Sequence, residues 1–125
     1  MQSERCKIVD GKYDIKVRSY RFALNIIKLI DSLPSSRTTA VLADQLLRSS
    51  TSIGANVIEA QAGSSRKDFQ NFLNYALKSA NETKYWLALL RDDGKGPVGT
   101  VDPLLQEAKE LANILAASII TLKKK

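Results

Sequence analysis

The sequence holds no histidine and a single cysteine, Cys6, among 125 residues. Without imidazole, Ser–His–Asp triads, Cys–His nucleophiles, zinc fingers and the common imidazole metal sites are excluded. One thiol forms no disulfide within a chain, so a reducing cytoplasm is the expected compartment. Cys6 sits in a polar stretch with no identifiable base or electropositive pocket to activate it, and reads as an incidental surface thiol. Long apolar runs are also missing. The longest, Ile114 to Ile120, has seven residues and includes Ser118, far short of a membrane span. The first residues, Met1-Gln2-Ser3-Glu4-Arg5, are polar with no apolar stretch behind them, so no secretion leader is expected. No alternating pattern is long enough for a strand.

What remains is the composition of a folded domain: 44% hydrophobic and 26% charged, with 19 basic against 13 acidic residues and a net charge of +6. The length suits one domain, read here as a polar arm over residues 1–12 and a helical domain over 13–125. Of three prolines and six glycines, Pro34, Pro97, Gly63, Gly94, Gly96 and Gly99 mark breaks at Leu33-Pro34, at Ala62-Gly63-Ser64-Ser65 and at Asp92 to Thr100, which leaves four helix-compatible segments.

The first segment, about Asp14 to Leu33, carries two apolar stripes: Tyr20, Ala23, Leu24, Ile27 and Ile30, and beside it Phe22, Ile26, Leu29 and Leu33. Together they exceed the arc an ordinary surface helix buries. The double stripe is either one wide core face or a core face plus a self-association face. The second segment, about Thr38 to Ala62, places Ser50 and Gly54 where another helix can come close, and ends before Gly63, which suits a left-handed cap. The third begins with a Ser65-x-x-Asp68 capping box and runs about seven turns, or about 40 Å. For the fourth, Asp102 reads as an N-cap with Pro103 at the first helical position, and Lys123 to Lys125 complement the dipole at its end. Four helices with short connections predict an all-α, antiparallel up-and-down four-helix bundle.

Catalytic constellations are lacking. The di-metal bundle motif needs Glu-x-x-His pairs, and Asp92-Asp93-Gly94 lacks the oxygen ligands of an ion-binding loop and reads as a turn. No cofactor or metal is expected, nor an enzyme. Charge is more informative: residues 1–37 carry net +4 and residues 63–91 net +3. Lys16, Arg18, Arg21 and Lys28 are candidates for one basic strip, and Arg66, Lys67, Lys78, Lys84 and Arg91 for another. Basic strips attract phosphate, although lysines at helical spacing also serve as a plain solvated face. Polar Asp44, Gln45, Arg48, Asn56 and Glu59 interrupt the second segment and Glu82 the third, as solvent-facing groups or as a network fixing register. Trp86 reads first as core, second as an interface anchor.

The run Asp44-Gln45-Leu46-Leu47-Arg48-Ser49-Ser50-Thr51-Ser52-Ile53-Gly54-Ala55-Asn56-Val57-Ile58-Glu59-Ala60 resembles the signature second helix of the four-helix-bundle family named for proteins encoded in intervening sequences of 23S ribosomal RNA genes. Ser65-Arg66-Lys67-Asp68-Phe69, Ala76-Leu77-Lys78-Ser79 and Glu82-Thr83-Lys84-Tyr85-Trp86-Leu87 extend the resemblance, which spans roughly Tyr13 to Arg91 and continues more loosely into the fourth helix. Members commonly carry proline at the place of Gly54 and arginine near Gly63-Ser64, where this chain departs. The resemblance implies a homopentameric ring, no enzymatic activity, and similarity to accessory variability determinants of diversity-generating retroelements, which bind nucleic acid and a reverse transcriptase. It marks Arg48, Gly54, Asn56, Glu59, Phe69, Glu82 and Trp86 as structural or interface residues. The expected function is a non-enzymatic, oligomeric, cytoplasmic protein holding RNA or RNA–cDNA on basic helix surfaces. The alternative is a scaffold that organises a protein partner without nucleic acid.

Overall fold

The computed structural model describes residues 14–124, which form four helices: α1 (Ile15–Ser32), α2 (Arg37–Ala62), α3 (Arg66–Asp92) and α4 (Val98–Lys124). The polar arm and Cys6 lie outside the described residues. Three helix starts are set by side-chain caps that satisfy otherwise orphaned amides. Asp14 Oδ1 accepts from the amides of Lys16 (3.0 Å) and Val17 (3.3 Å). Ser36 Oγ accepts from Thr39 N at 3.0 Å, and Ser65 Oγ from Asp68 N at 3.0 Å. Only that half of the expected capping box forms. The Asp68 carboxylate instead lies 3.4 Å from the Ser64 hydroxyl.

Two expectations about helix ends are corrected. Gly63 has φ −64° and ψ 147°, extended rather than left-handed, because the chain turns at once into Ser64-Ser65 and α3. Space explains the glycine: a Cβ there would lie 3.2 Å from the Asp68 Cβ and 3.3 Å from the Ala60 carbonyl. α4 begins at Val98, not after Asp102, so Pro103 lies inside the helix. Proline is tolerated there because the carbonyl four residues back belongs to Gly99, in the first turn, where helix bonding is only beginning. Pro97 is the actual start signal, its carbonyl accepting from Thr100 N (3.0 Å) and Val101 N (2.8 Å). The left-handed position is Gly94, with φ +80°, in the turn read from Asp92-Asp93-Gly94.

α1 packs against α2 and α4, and α3 against the same two. The helices therefore form a closed square with α1 diagonal to α3. The core runs along the middle through Phe22, Ile26, Leu29, Leu46, Ile53, Val57, Leu87, Leu90, Val101, Leu111 and Leu115, all buried. Of the two stripes of α1, the Phe22–Ile26–Leu29 stripe enters this core. Tyr20, Leu24 and Ile27 of the other remain 60%, 42% and 39% exposed. α1 approaches α2 at Gly54, where an added Cβ would lie 3.2 Å from Ser19 Oγ. Ser19 and Ser50 are fully buried there, so the small residues of the second segment do permit close approach.

The α2–α3 seam is polar. Thr83 Oγ1 lies 2.8 Å from Ser49 Oγ, Ser79 Oγ donates to Ser52 Oγ at 3.1 Å, and Asn56 Nδ2 donates to Ser52 Oγ (3.0 Å) and the Ser52 carbonyl (2.8 Å). Because these hydroxyls meet one another, no buried side-chain polar atom is left unpartnered among the described residues. Thr83→Val keeps the shape and removes the buried hydroxyl, so it is expected to cost about 1–2 kcal/mol. Thr83→Val with Ser49→Ala removes both partners and is expected to recover most of that loss in chemical denaturation. Equal, additive costs would show that the seam contributes no coupling.

Candidate nucleic-acid interface

The diagonal placement of α1 and α3 decides what the basic strips can do. Two strips on neighbouring helices would merge into one surface. These two belong to helices at opposite corners of the square, so their outward-facing cations form separate surfaces within one chain.

Several of the candidate cations are also engaged. Arg18 directs its guanidinium onto α4, with Nε 3.0 Å and Nη2 2.7 Å from the two Glu107 oxygens, and Nη2 2.8 Å from Glu110 Oε1. This bidentate fork raises the Arg18 pKa, chiefly through Glu107. Together with the Gln106 amide it holds the Glu110 carboxyl below its ordinary range, Arg18 being the larger cause. Arg91 bonds Asp92 and Asp102, each at 3.0 Å, which raises its pKa, Asp92 contributing most. Arg66 Nη2 donates to the Leu122 carbonyl at 2.6 Å, near the C-terminal end of α4. Arg18, Arg66 and Arg91 thus bind helices to one another.

Helical geometry sorts the rest. At 100° per residue, Arg66, Lys84 and Arg91 fall in one row, facing α4 as the Arg66 and Arg91 bonds require. Lys67 and Lys78, eleven residues apart, fall in a second row about 100° away, both exposed. On α1, Arg21 and Lys28 are seven residues apart and share an exposed face, whereas Lys16 points elsewhere. Lys16, Arg21, Lys28, Lys67, Lys78 and Lys84 make no ion pair among the described residues.

The motif residues of α2 and α3 divide similarly. Arg48 and Glu59 are exposed, on nearly the same side of α2. Asn56 belongs to the polar seam and Gly54 to the α1 contact. Trp86 is half-buried against the core, and its Nε1 donates to exposed Glu82 at 3.0 Å. Phe69 lines a shallow groove with Ile114, Ala117, Ser118, Thr121 and Leu122. That groove holds no ionisable side chain, so it offers apolar contact and two hydroxyls rather than acid–base chemistry. Among the described residues no cluster of three or more metal-ligating side chains occurs, and no helix is long and apolar enough to cross a membrane.

Sequence reasoning missed the acidic partners Glu107, Glu110 and Asp102, whose pairing depends on which helices become neighbours. It also missed Tyr75, 50% exposed on the outer face of α3. The signal for Tyr75 was its place between Lys67 and Lys78.

An all-α square of four helices with a polar α2–α3 seam defines a four-helix-bundle protein of the kind the second-helix motif suggested. The family model described as "23S rRNA-intervening sequence protein" matches residues 11–117. The chain belongs to that family. A crystal structure of a protein of unknown function from the S23 ribosomal protein family of Bacteroides thetaiotaomicron is similar over 84% of this chain and 97% of that one, with 40% identity and a TM-score of 0.79. No curated protein matches the chain.

Proposed function

We propose that the protein is a non-enzymatic, self-associating accessory protein of the cytoplasm that holds RNA, or an RNA–cDNA template, by its phosphate backbone. The observation that supports this most is the set of surface cations with no ion pair among the described residues: Arg21 and Lys28 on α1, and Lys67, Lys78 and Lys84 on α3. Protein carboxylates leave these groups available, and backbone phosphate is the partner their spread along two helices suits, with little reading of bases. Self-association would multiply the surfaces, since each copy brings two basic corners that no single contact spans. In a retroelement setting a reverse transcriptase would be a further partner, and a homopentameric ring is the assembly we favour.

The apolar surface for assembly lies over the α1–α2 groove. Tyr20, Leu24 and Ile27 on α1 and Leu47 and Ile58 on α2 are exposed apolar side chains, on the two helices that meet at the close contact of Ser19 with Gly54. An exposed apolar cluster of this kind is a usual mark of an interface.

Fluorescence anisotropy with a labelled structured RNA, titrated between about 50 and 200 mM salt, tests the reading. Affinity is expected to fall with a log–log slope of about −0.9 per phosphate contacted on duplex. No binding at the lowest salt would overturn it and leave a scaffold for a protein partner.

A further inference from the structure

α3 carries two tyrosines, about 80° apart around its axis, whose exposure the fold does not explain. Tyr75 is 50% and Tyr85 59% exposed, ten residues apart and so about 15 Å along the axis. Each ring is braced edge-on by a half-buried aromatic neighbour. Phe72 meets Tyr75 with centroids 5.8 Å apart and planes at 81°, and Trp86 meets Tyr85 at 5.1 Å and 71°. Trp86 is itself held by its indole bond to Glu82. Such a contact restrains the tyrosine ring while half or more of its surface stays open to solvent. Between and beside the rings stand Lys67 and Lys78, in line with Tyr85 on the helix surface, and the exposed amides of Asn71 and Asn81. Two carboxylates flank Tyr75 on this side of the helix: Glu82, whose oxygen is engaged by Trp86, and Asp68, which lies 3.4 Å from the Ser64 hydroxyl.

We infer that this face of α3 is a binding site for single-stranded nucleic acid, with bases stacking on Tyr75 and Tyr85 while Lys78 contacts the phosphates between them and Lys67 the strand beyond Tyr75. The inference rests on the nucleic-acid reading above and deepens it: the form recognised is an unpaired strand. Every base offers a face to an aromatic ring, so such a platform binds with little sequence preference. A duplex buries those faces and leaves only its phosphates. The placement also fits an assembly. α3 is diagonal to α1, so α2 stands between this face and the outer stripe of α1.

The test is anisotropy with a labelled oligouridylate and with a duplex RNA of equal length, at low salt. The wild-type chain is expected to prefer the single strand. Tyr75→Ala with Tyr85→Ala is expected to weaken oligouridylate binding at least about tenfold, at the modest end of stacking losses. Tyr75→Phe with Tyr85→Phe retains the rings and should retain binding. Lys67→Gln with Lys78→Gln should flatten the salt slope by about 1.4, and Trp86 emission should change on binding because Tyr85 lies against it. If the double alanine variant binds the oligouridylate as the wild type does, or if the duplex binds as tightly as the single strand, the α3 site is overturned while the general reading stands. Polyglutamate binding as tightly as oligouridylate would overturn the site in favour of protein docking. If no RNA binds at all, both readings fall together.

Discussion

Phe22→Ala is expected to cost about 3–5 kcal/mol of unfolding free energy, the range for a large aromatic removed from a packed core. Phe22 is 1% exposed and stands with Ile26 and Leu29 as the inner stripe of α1. That helix has 18 residues where the other three have 26 or 27, so it has fewer core side chains over which to spread the loss. The cavity would open between α1 and its neighbours, and the structure can close it only by moving α1 against the Ser19–Gly54 contact, where the backbones already approach closely. Since small domains are stable by about 5–15 kcal/mol, the variant should unfold at markedly lower denaturant. A shift below 1 kcal/mol, with the denaturant dependence unchanged, would mean that α1 is not anchored through this residue.

The complementary change on the outer stripe has a different expected result. Leu24→Glu with Ile27→Glu places two carboxylates in the apolar surface over the α1–α2 groove. Neither side chain enters the core, so the fold should be kept. If copies associate through this surface, burying two unpaired carboxylates per copy is prohibitive, and association should weaken by orders of magnitude. Light scattering is expected to give a multiple of 13.8 kDa for the wild type and 13.8 kDa for the variant, with unchanged helical circular dichroism. A wild type that already runs as a monomer at micromolar concentration removes the assembly from the proposal.

The three substituted positions, Phe22, Leu24 and Ile27, lie within five residues of one another, and the sequence alone could not say which stripe was which. Phe22–Ile26–Leu29 and Tyr20–Leu24–Ile27 are both apolar at helical spacing, so periodicity announces two faces without choosing the buried one. The number and extent of helices were legible because Pro34, the Ser65 cap and Gly94 interrupt otherwise periodic segments. The start of α4 was not, since Asp102-Pro103 imitates a cap while Pro97, five residues earlier, supplies the first carbonyl. Gly63 was misread for a similar reason: a glycine after a helix suggests a left-handed cap, but here crowding against Asp68 and Ala60 asks for it. The basic strips were only half legible. Helical arithmetic already separates Lys67 and Lys78 from Arg66, Lys84 and Arg91. It cannot supply Asp102 or the Leu122 carbonyl, because those belong to a helix whose position depends on the whole fold.

The fork of Arg18 onto Glu107 and Glu110 joins residues about ninety positions apart, whereas every other pair of neighbouring helices is joined by a short connection. Loop-closure entropy makes such a joint the costliest to form, and local opening in folded proteins begins where such contacts are sparse. The α1–α4 edge is therefore the gate of the square. A second copy seated on the outer stripe of α1 would hold that helix in place from outside, so that losing a neighbour and loosening the first helix become a single event.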